Sequence, residues 1–276
     1  MGIYKTTREI RQHVEVLYKR RLTSDDVRSI KKRLSRADGR SEARRVSDLL
    51  KGQGNVEIKL EENIVRFVFF VPRCISEDIL KNSEVILADA THQLNYGGYV
   101  LWHAMLVDDT GLGRSFFYAI LPNESGASYR MAVSVMKEMC PGTSSCRTIV
   151  VDRSLAQFSA FRQSYPSADV VFCRFHILKD MKKKCNKLQS LGNSDKLRVS
   201  PWMRNMVYAD TEVTFKHFLA TIAARSPEAH GYLARTWLPY INHWAGYALR
   251  NKVLFGNLTT NRVETENRPP KPALSK

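Results

Sequence analysis

The fold of this chain depends most on the stretch Val85–Thr91, whose sequence is VILADAT. Four apolar residues lead directly into a carboxylate, and a continuous apolar run is typical of a strand that is buried on both faces. An aspartate at the end of such a strand is costly to bury unless it has a partner or binds a cation. Taken alone, Asp89 is more simply interpreted as a turn residue that closes the strand. A second carboxylate delivered to the same place by another strand would favour a cation site.

Two more strands follow this stretch along the chain. Tyr99–Val107 and Arg114–Leu121 are rich in apolar and aromatic residues, and Asp108–Gly111 between them has the composition of a hairpin turn. Together with Val85–Asp89 they predict an antiparallel meander of three strands. Apolar residues at helical spacing then predict an amphipathic helix over 129–139.

The second carboxylate is Asp152, which follows a fourth predicted strand at Arg147–Val151. Ser154 can cap the helix that comes next, and Val170–Phe175 predicts a fifth strand. In a strand–helix–strand unit the two strands are parallel and the crossover is right-handed. The fourth and fifth strands should therefore lie in one sheet in the same direction.

This element order is that of an RNase H-like fold, an α/β fold with a mixed five-stranded sheet and flanking helices. In that fold the first and fourth strands are adjacent at the centre, so Asp89 and Asp152 should lie at neighbouring strand ends. Two adjacent carboxylates raise each other's pKa unless a cation neutralises them. Magnesium prefers a few carboxylates and keeps open positions for water and phosphate oxygens. Glu264 is the best candidate for the third acid of a two-metal site.

The net charge of the chain indicates which kind of partner it binds. With 43 Lys+Arg against 27 Asp+Glu, the formal net charge is +16, which favours a polyanionic partner. No apolar run approaches the roughly 20 residues that span a bilayer, so membrane insertion is disfavoured. Met1–Glu15 is charged throughout and predicts no secretory leader. The five cysteines show no repeated spacing and indicate reduced thiols in a cytosolic or nuclear protein.

A lysine-rich helix is predicted directly after the fifth strand. The stretch Arg174–Arg204 holds nine basic and two acidic residues, a net charge of +7. Its exposed side is predicted to contact nucleic acid. For the other basic segment, the predicted helical region Met1–Lys51, a solvated helix face is as good an interpretation as a nucleic-acid contact. The predicted nucleic-acid contacts are Lys179, Lys182, Lys183, Lys184, Lys187 and His176. The tryptophans Trp202, Trp237 and Trp244 are more typical of core anchors than of base-stacking platforms.

Four short motifs in a fixed order resemble the transposase domain of Mutator-like elements. Among proteins of this kind, the motifs resemble most the RNase H-like domain of SWIM-type zinc-finger proteins, which are thought to descend from such transposases. The resemblance covers most of the chain, from about Leu22 to Asn267, and no single motif is specific. The motifs are DAT at 89–91 with Asn95, VD at 151–152, CRFH at 173–176 and TNRVETEN at 260–267.

The resemblance implies a DDE-type transposase, or nuclease, that acts on DNA with Mg²⁺ or Mn²⁺ in the nucleus. Asp89, Asp152 and Glu264 would be its catalytic, metal-binding acids, with no small-molecule cofactor and with homo-oligomerisation as an option. The chain is expected to divide into a basic, mainly helical region with a short β-hairpin at 1–78 and a core at 79–188. A helical insertion at 189–258 and a terminal core helix with a tail at 259–276 complete the division.

Two features leave alternatives open. Cys173 and His176 match a pair typical of such transposases, but two ligands do not make a closed zinc site, and local packing is the simpler interpretation. No cysteine follows Cys185, so the cysteine–histidine pattern of a SWIM finger is absent from this sequence. The alternative function is therefore a domesticated, catalytically inactive DNA-binding, chromatin-associated or protein-interaction protein.

Overall fold

The structure is a computed structural model, and it has one mixed sheet at its centre. It describes residues 23, 42–62, 64–91, 99–107, 111–188, 191–260 and 263. Of the predicted basic helical region before residue 52, the structure describes the helix α1 at Glu42–Leu50 together with Thr23 and Lys51, and the other residues lie outside the described part. Residues 92–98, most of the predicted turn at 108–111, and residues 264–276 also lie outside it.

The described elements are a mixture of strands and helices up to β7, and all of those that follow are helices. After α1 they are β1 (Gly54–Glu61), β2 (Ile64–Pro72), α2 (Glu77–Lys81), β3 (Val85–Thr91), β4 (Val100–Val107), β5 (Gly113–Leu121), α3 (Gly126–Met139), a 3-10 helix (Pro141–Ser145), β6 (Thr148–Val151), α4 (Leu155–Ser164), β7 (Asp169–Phe172), α5 (Arg174–Lys187), α6 (Asn193–Tyr208), α7 (Glu212–Arg225), α8 (Pro227–Thr236), a second 3-10 helix (Leu238–His243) and α9 (Gly246–Leu249).

Within the described residues, seven strands form one sheet in the order β1-β2-β5-β4-β3-β6-β7. The strands β3, β4 and β5 form the predicted antiparallel meander. The strand β6 runs parallel to β7, as the strand–helix–strand unit predicts. On its other side β6 pairs with β3, the predicted neighbour, and this pairing is also parallel. The predicted α/β fold is confirmed, and the sheet has two strands more than the five expected.

The two extra strands come from the N-terminal hairpin. Its strands β1 and β2 were predicted as a separate hairpin, but β2 pairs with β5, so Val68 lies opposite Ile120. The alternation of apolar and polar residues in β1 predicts a strand. It does not predict which edge of the sheet the hairpin will pair with. The edge of β5 is free after the meander forms, and the hairpin covers it.

The boundary after β7 was predicted wrongly. The fifth strand was expected to reach Phe175, yet β7 ends at Phe172 and α5 begins at Arg174. Cys173 still donates its N–H to the carbonyl of Val151 at 2.6 Å, which ends the parallel ladder. The apolar run of the strand passes directly into the inward face of the helix, so periodicity alone could not separate them.

The two faces of the sheet are covered differently. One face carries Trp102 and packs against α3 and α4 in the larger core cluster. The other face carries Val85 and Leu87, which form a second cluster with Leu249 and Val263. The parallel strands are therefore buried on both sides, as expected for a strand–helix–strand unit.

The helical region after α5 is anchored by aromatic side chains. Trp237 and Trp244 are fully buried, and their rings meet edge to face at 6.0 Å between centroids. Trp202 is half-buried against the same core. The prediction that these three tryptophans are core anchors is confirmed. No described helix is long and apolar enough to cross a bilayer, and the five cysteines are free thiols.

Candidate functional site

The two acids on the central strands lie beside each other in the sheet. In the parallel pairing of β3 with β6, Ala88 is opposite Val151, and Asp89 and Asp152 are the residues that follow this pair. By alternation, Asp89 shares a sheet face with Leu87, and it is only 4% exposed. The structure thus brings together the two acids that the sequence placed at neighbouring strand ends.

Asp152 closes the turn between β6 and α4. Its Oδ1 accepts a hydrogen bond from the N–H of Ser154 at 2.9 Å, and Ser154 in turn caps α4. Burial raises the pKa of Asp152, whereas the N–H of Ser154 and the nearby His176 lower it. The carboxylates of Glu124 and Asp180 add to the increase. A bound cation would counteract the cost of burying this charge.

A third group of side chains lies next to the acids, where α5 begins. Cys173 precedes the helix and His176 lies in its first turn. Thr260 reaches both: its N–H donates to the Cys173 Sγ at 3.2 Å, and its hydroxyl lies 3.4 Å from that sulfur and 3.5 Å from the His176 Nδ1. Cys173 and Thr260 are fully buried. A segment 87 residues further along the chain therefore closes this end of the sheet.

The contacts of Cys173 and His176 favour the charged form of both side chains. Burial raises the pKa of the Cys173 thiol, but its hydrogen bonds with His176 and Thr260 outweigh burial, and the net pKa is lowered. Burial lowers the pKa of His176, but the hydrogen bond and charge of Cys173, with the charges of Asp89 and Asp152, raise it to about 9. A thiolate–imidazolium pair beside the two acids is the arrangement that these contacts stabilise.

We expect His176 to titrate with a pKa of about 9 when its ring protons are followed by NMR in chelator-treated protein. A raised pKa means that the imidazolium form persists up to that pH. Because the hydrogen bond that the His176 ring donates to the Cys173 sulfur is the largest contribution that raises the pKa, Cys173→Ser should move it down towards the ordinary value of about 6.5. His243 is an internal control, since burial lowers its pKa. The prediction would be wrong if His176 of the wild type had the same pKa as His243.

The segment that carries the predicted third acid approaches the site. Thr260 contacts Cys173 and His176, and Val263 is fully buried on the sheet face that carries Val85 and Leu87. Glu264 itself lies outside the described residues, as does His92 beside Asp89. The role of Glu264 as a metal-binding acid therefore stays a prediction.

One buried residue beside the acids was missed by sequence reasoning. His103 lies opposite Asp89 in the pairing of β3 with β4 and is fully buried. Its ring stacks on that of Tyr118, with 4.3 Å between centroids and 9° between planes. The signal in the sequence is a single histidine inside the otherwise apolar strand Val100–Val107. A polar residue there, one strand away from an acid, could have been recognised as part of the site.

The predicted nucleic-acid contacts divide into two kinds. Four lysines of α5 are exposed, while Lys184 is half-buried with its Nζ 5.8 Å from the ring centre of Tyr232. None of the ion pairs between described residues involves one of these five lysines. His176 differs from them because it is half-buried beside the acids. The four exposed lysines are Lys179, Lys182, Lys183 and Lys187.

A comparison with known protein families supports the fold. Residues 51–171 match the family model described as Zinc finger SWIM domain-containing protein 1/3, RNaseH-like domain. The matched stretch contains Asp89 and Asp152 and ends within β7, before the pair Cys173–His176 and the lysines of α5. No curated protein matches the chain. This part of the chain is thus similar to the RNase H-like domain of a SWIM-protein family.

Proposed function

We propose that this chain is a transposase-derived domain of Mutator-like ancestry that acts on DNA. In this proposal Asp89 and Asp152, with Glu264, are the acids of a DDE-type site for DNA cleavage and strand transfer. The observation that carries the proposal is the position of the two aspartates beside each other on the paired central strands β3 and β6. The family match supports a nuclease-like fold over this part of the chain.

The donor set suits a hard divalent cation. Asp89 is almost fully buried, and burial raises the pKa of Asp152, so each carboxylate would gain from a cation nearby. Mg²⁺ and Mn²⁺ prefer carboxylate oxygens of this kind. Within the described residues no group of three or more His, Cys, Asp or Glu side chains is arranged to hold a metal. The two aspartates therefore need Glu264 or another ligand to complete the site.

The residues of the chain would position a cation and the DNA backbone around it. Asp89 and Asp152 would hold the ion, and the N–H of Ser154 orients the Asp152 carboxylate. When bound, such ions stabilise the charge that develops on the attacking and leaving oxygens of a phosphodiester. The positive charge of α5 would draw the DNA backbone towards the protein.

Mn²⁺- or Mg²⁺-dependent cleavage of DNA that carries the terminal repeats of such elements tests this function. We expect Asp152→Asn to lower the rate by about a hundredfold or more, because the amide is a much poorer ligand for a hard cation. Binding of the same DNA should not weaken, since the substitution removes a negative charge that repels the phosphates. A chelator should abolish cleavage by the wild type.

The matched control is Asp169→Asn on β7. Asp169 is exposed and pairs with Lys252, so this variant loses one carboxylate away from the central strand ends. It should cleave at nearly the wild-type rate. Equal rates for the wild type and Asp152→Asn would refute catalysis by the acid pair.

A second candidate function is a domesticated DNA-binding or chromatin-associated protein without catalysis. The observation that favours it is the position of His176, which is half-buried next to Asp89 and Asp152, where the charges of both acids help to raise its pKa. An imidazolium there would partly neutralise the acids without any metal. With the net charge of +16, this candidate predicts nuclear DNA binding that weakens with salt and is not accompanied by cleavage.

A further inference from the structure

A seam between α5 and α6 carries positive charge that the candidate acid site does not use. The two helices are antiparallel neighbours, joined by the short stretch around Leu191. Arg174 and Lys182 lie on one stripe of α5, because they are eight residues apart. Arg204 and Tyr208 are four residues apart on α6 and face that stripe. The start of α5 thus meets the end of α6.

Two arginines share one aromatic ring at this meeting point. The guanidinium carbon of Arg174 lies 4.5 Å from the centre of the Tyr208 ring, and that of Arg204 lies 5.6 Å from it. Tyr208 is nevertheless 47% exposed, so the stack lies at the surface. The Nε of Arg174 is buried and has no hydrogen-bond partner within the described parts of the chain.

The stack continues into a groove along the seam. A hollow of about 400 Å³ lies between the helices, with Leu178 and Met181 on one side and Ser200 on the other. Lys182 and Arg204 border the same hollow. Cationic groups therefore extend along the seam from the residue next to Cys173 to the middle of both helices.

The geometry of the stack favours phosphate rather than bases as the ligand. An arginine that lies over an aromatic ring keeps its in-plane N–H donors available, and these match the oxygens of a phosphate. The ring of Tyr208 already contacts guanidinium groups, so it is poorly placed to stack on a base. None of the ion pairs between described residues involves Arg174 or Arg204, so no carboxylate of that part of the chain competes with a phosphate for them.

We infer that the α5–α6 seam, formed by Arg174, Tyr208, Arg204 and Lys182, binds the phosphodiester backbone of nucleic acid and directs it to the acid site. Arg174 lies two residues before His176, so a backbone that follows the stack reaches the ends of β3 and β6. Contacts to phosphates alone carry no sequence information, and the seam should accept any base sequence. The choice of nucleic acid as partner rests on the proposed function, but binding does not require cleavage.

The test measures the affinity of the full chain for a random-sequence DNA duplex over a range of salt concentrations. Arg204→Gln and Lys182→Gln should each weaken binding roughly tenfold, as expected when a hydrogen-bonded charge is removed. Each should also reduce the log–log salt slope by about 0.9 for every phosphate that the variant no longer neutralises. Tyr208→Phe should bind like the wild type, because the ring is kept, whereas Tyr208→Ala should weaken binding.

The control variant is Lys81→Gln. Lys81 is exposed at the end of α2, before β3 begins, and so lies at the opposite end of that strand from Asp89. This variant removes the same charge and should change affinity by less than about twofold, with the salt slope unchanged. Thermal unfolding of each variant separates a binding defect from a folding defect. If Tyr208→Ala fails to fold, the Arg204 and Lys182 variants still decide the result.

Three results would overturn the inference. Equally weakened binding in Lys81→Gln and Arg204→Gln would indicate overall charge instead of a seam. Binding that does not depend on salt would exclude phosphate contacts. Tighter binding to phosphatidylserine vesicles than to DNA through the same residues would assign the seam to a membrane surface. Failure of DNA cleavage, by contrast, would count against the proposed function and leave the seam intact.

Discussion

Replacing Trp102 with alanine is expected to lower the free energy of unfolding by about 3–5 kcal/mol, the usual cost of truncating a buried aromatic side chain. Trp102 on β4 is fully buried. Its ring meets those of Phe117, Tyr129 and Phe161 at centroid distances of 5.9, 6.3 and 5.8 Å. These contacts join the sheet to α3 and α4. Since a domain is stable by only about 5–15 kcal/mol, this loss should be plain in urea unfolding.

Two further variants separate packing from other effects of this substitution. Trp102→Phe keeps a ring in the core and removes the indole Nε1, which is buried without a hydrogen-bond partner within the described residues. It should cost less than Trp102→Ala, because removing an unsatisfied donor offsets part of the reduced packing. Leu197→Ala, at a side chain that is 77% exposed, should cost almost nothing. Equal costs for the Trp102→Ala and Leu197→Ala variants would contradict the prediction.

The central strands of the sheet could be predicted because short stretches of neighbouring residues specify them. The apolar run at Val85–Ala88 and the strand–helix–strand pattern around Ser154 specify β3, β6 and their direction without any knowledge of distant contacts. Right-handed crossover then leaves few places for β6, and the position beside β3 is the one observed. The proximity of Asp89 and Asp152 follows from that topology.

The edges of the sheet and the surroundings of the acids could not be predicted because they depend on contacts between distant segments. The pairing of β2 with β5 joins residues about fifty positions apart, and the apolar run of β2 does not specify its partner. Thr260 was predicted only as the start of the motif at 260–267, yet it lies against Cys173 and His176. The stack of Arg174 on Tyr208 likewise depends on how two helices pack.

A loss of about 3–5 kcal/mol is also expected for Trp237→Ala, and here the effect should reach the acid site. Trp237 is fully buried at the end of α8, and its Nε1 donates to the Tyr232 hydroxyl at 2.9 Å. The guanidinium carbon of Arg153 lies 4.5 Å from the centre of its ring. Arg153 also donates to the carbonyl of Thr236 at 2.9 Å. Arg153 follows Asp152, so the indole holds the loop that carries this acid.

The Ser154 amide reports whether this link operates, because its N–H donates to the Asp152 carboxylate. In Trp237→Ala the NMR resonance of that amide should shift, and its exchange with solvent should become faster than in the wild type. Trp237→Phe keeps a ring beneath Arg153 and should shift it less. Arg153→Met removes only the contacts of the guanidinium group with the Trp237 ring and the Thr236 carbonyl. It should therefore shift the Ser154 amide resonance as Trp237→Ala does, but lower the free energy of unfolding far less. If Ser154 is unchanged in Arg153→Met, the helical region stabilises the fold without positioning Asp152.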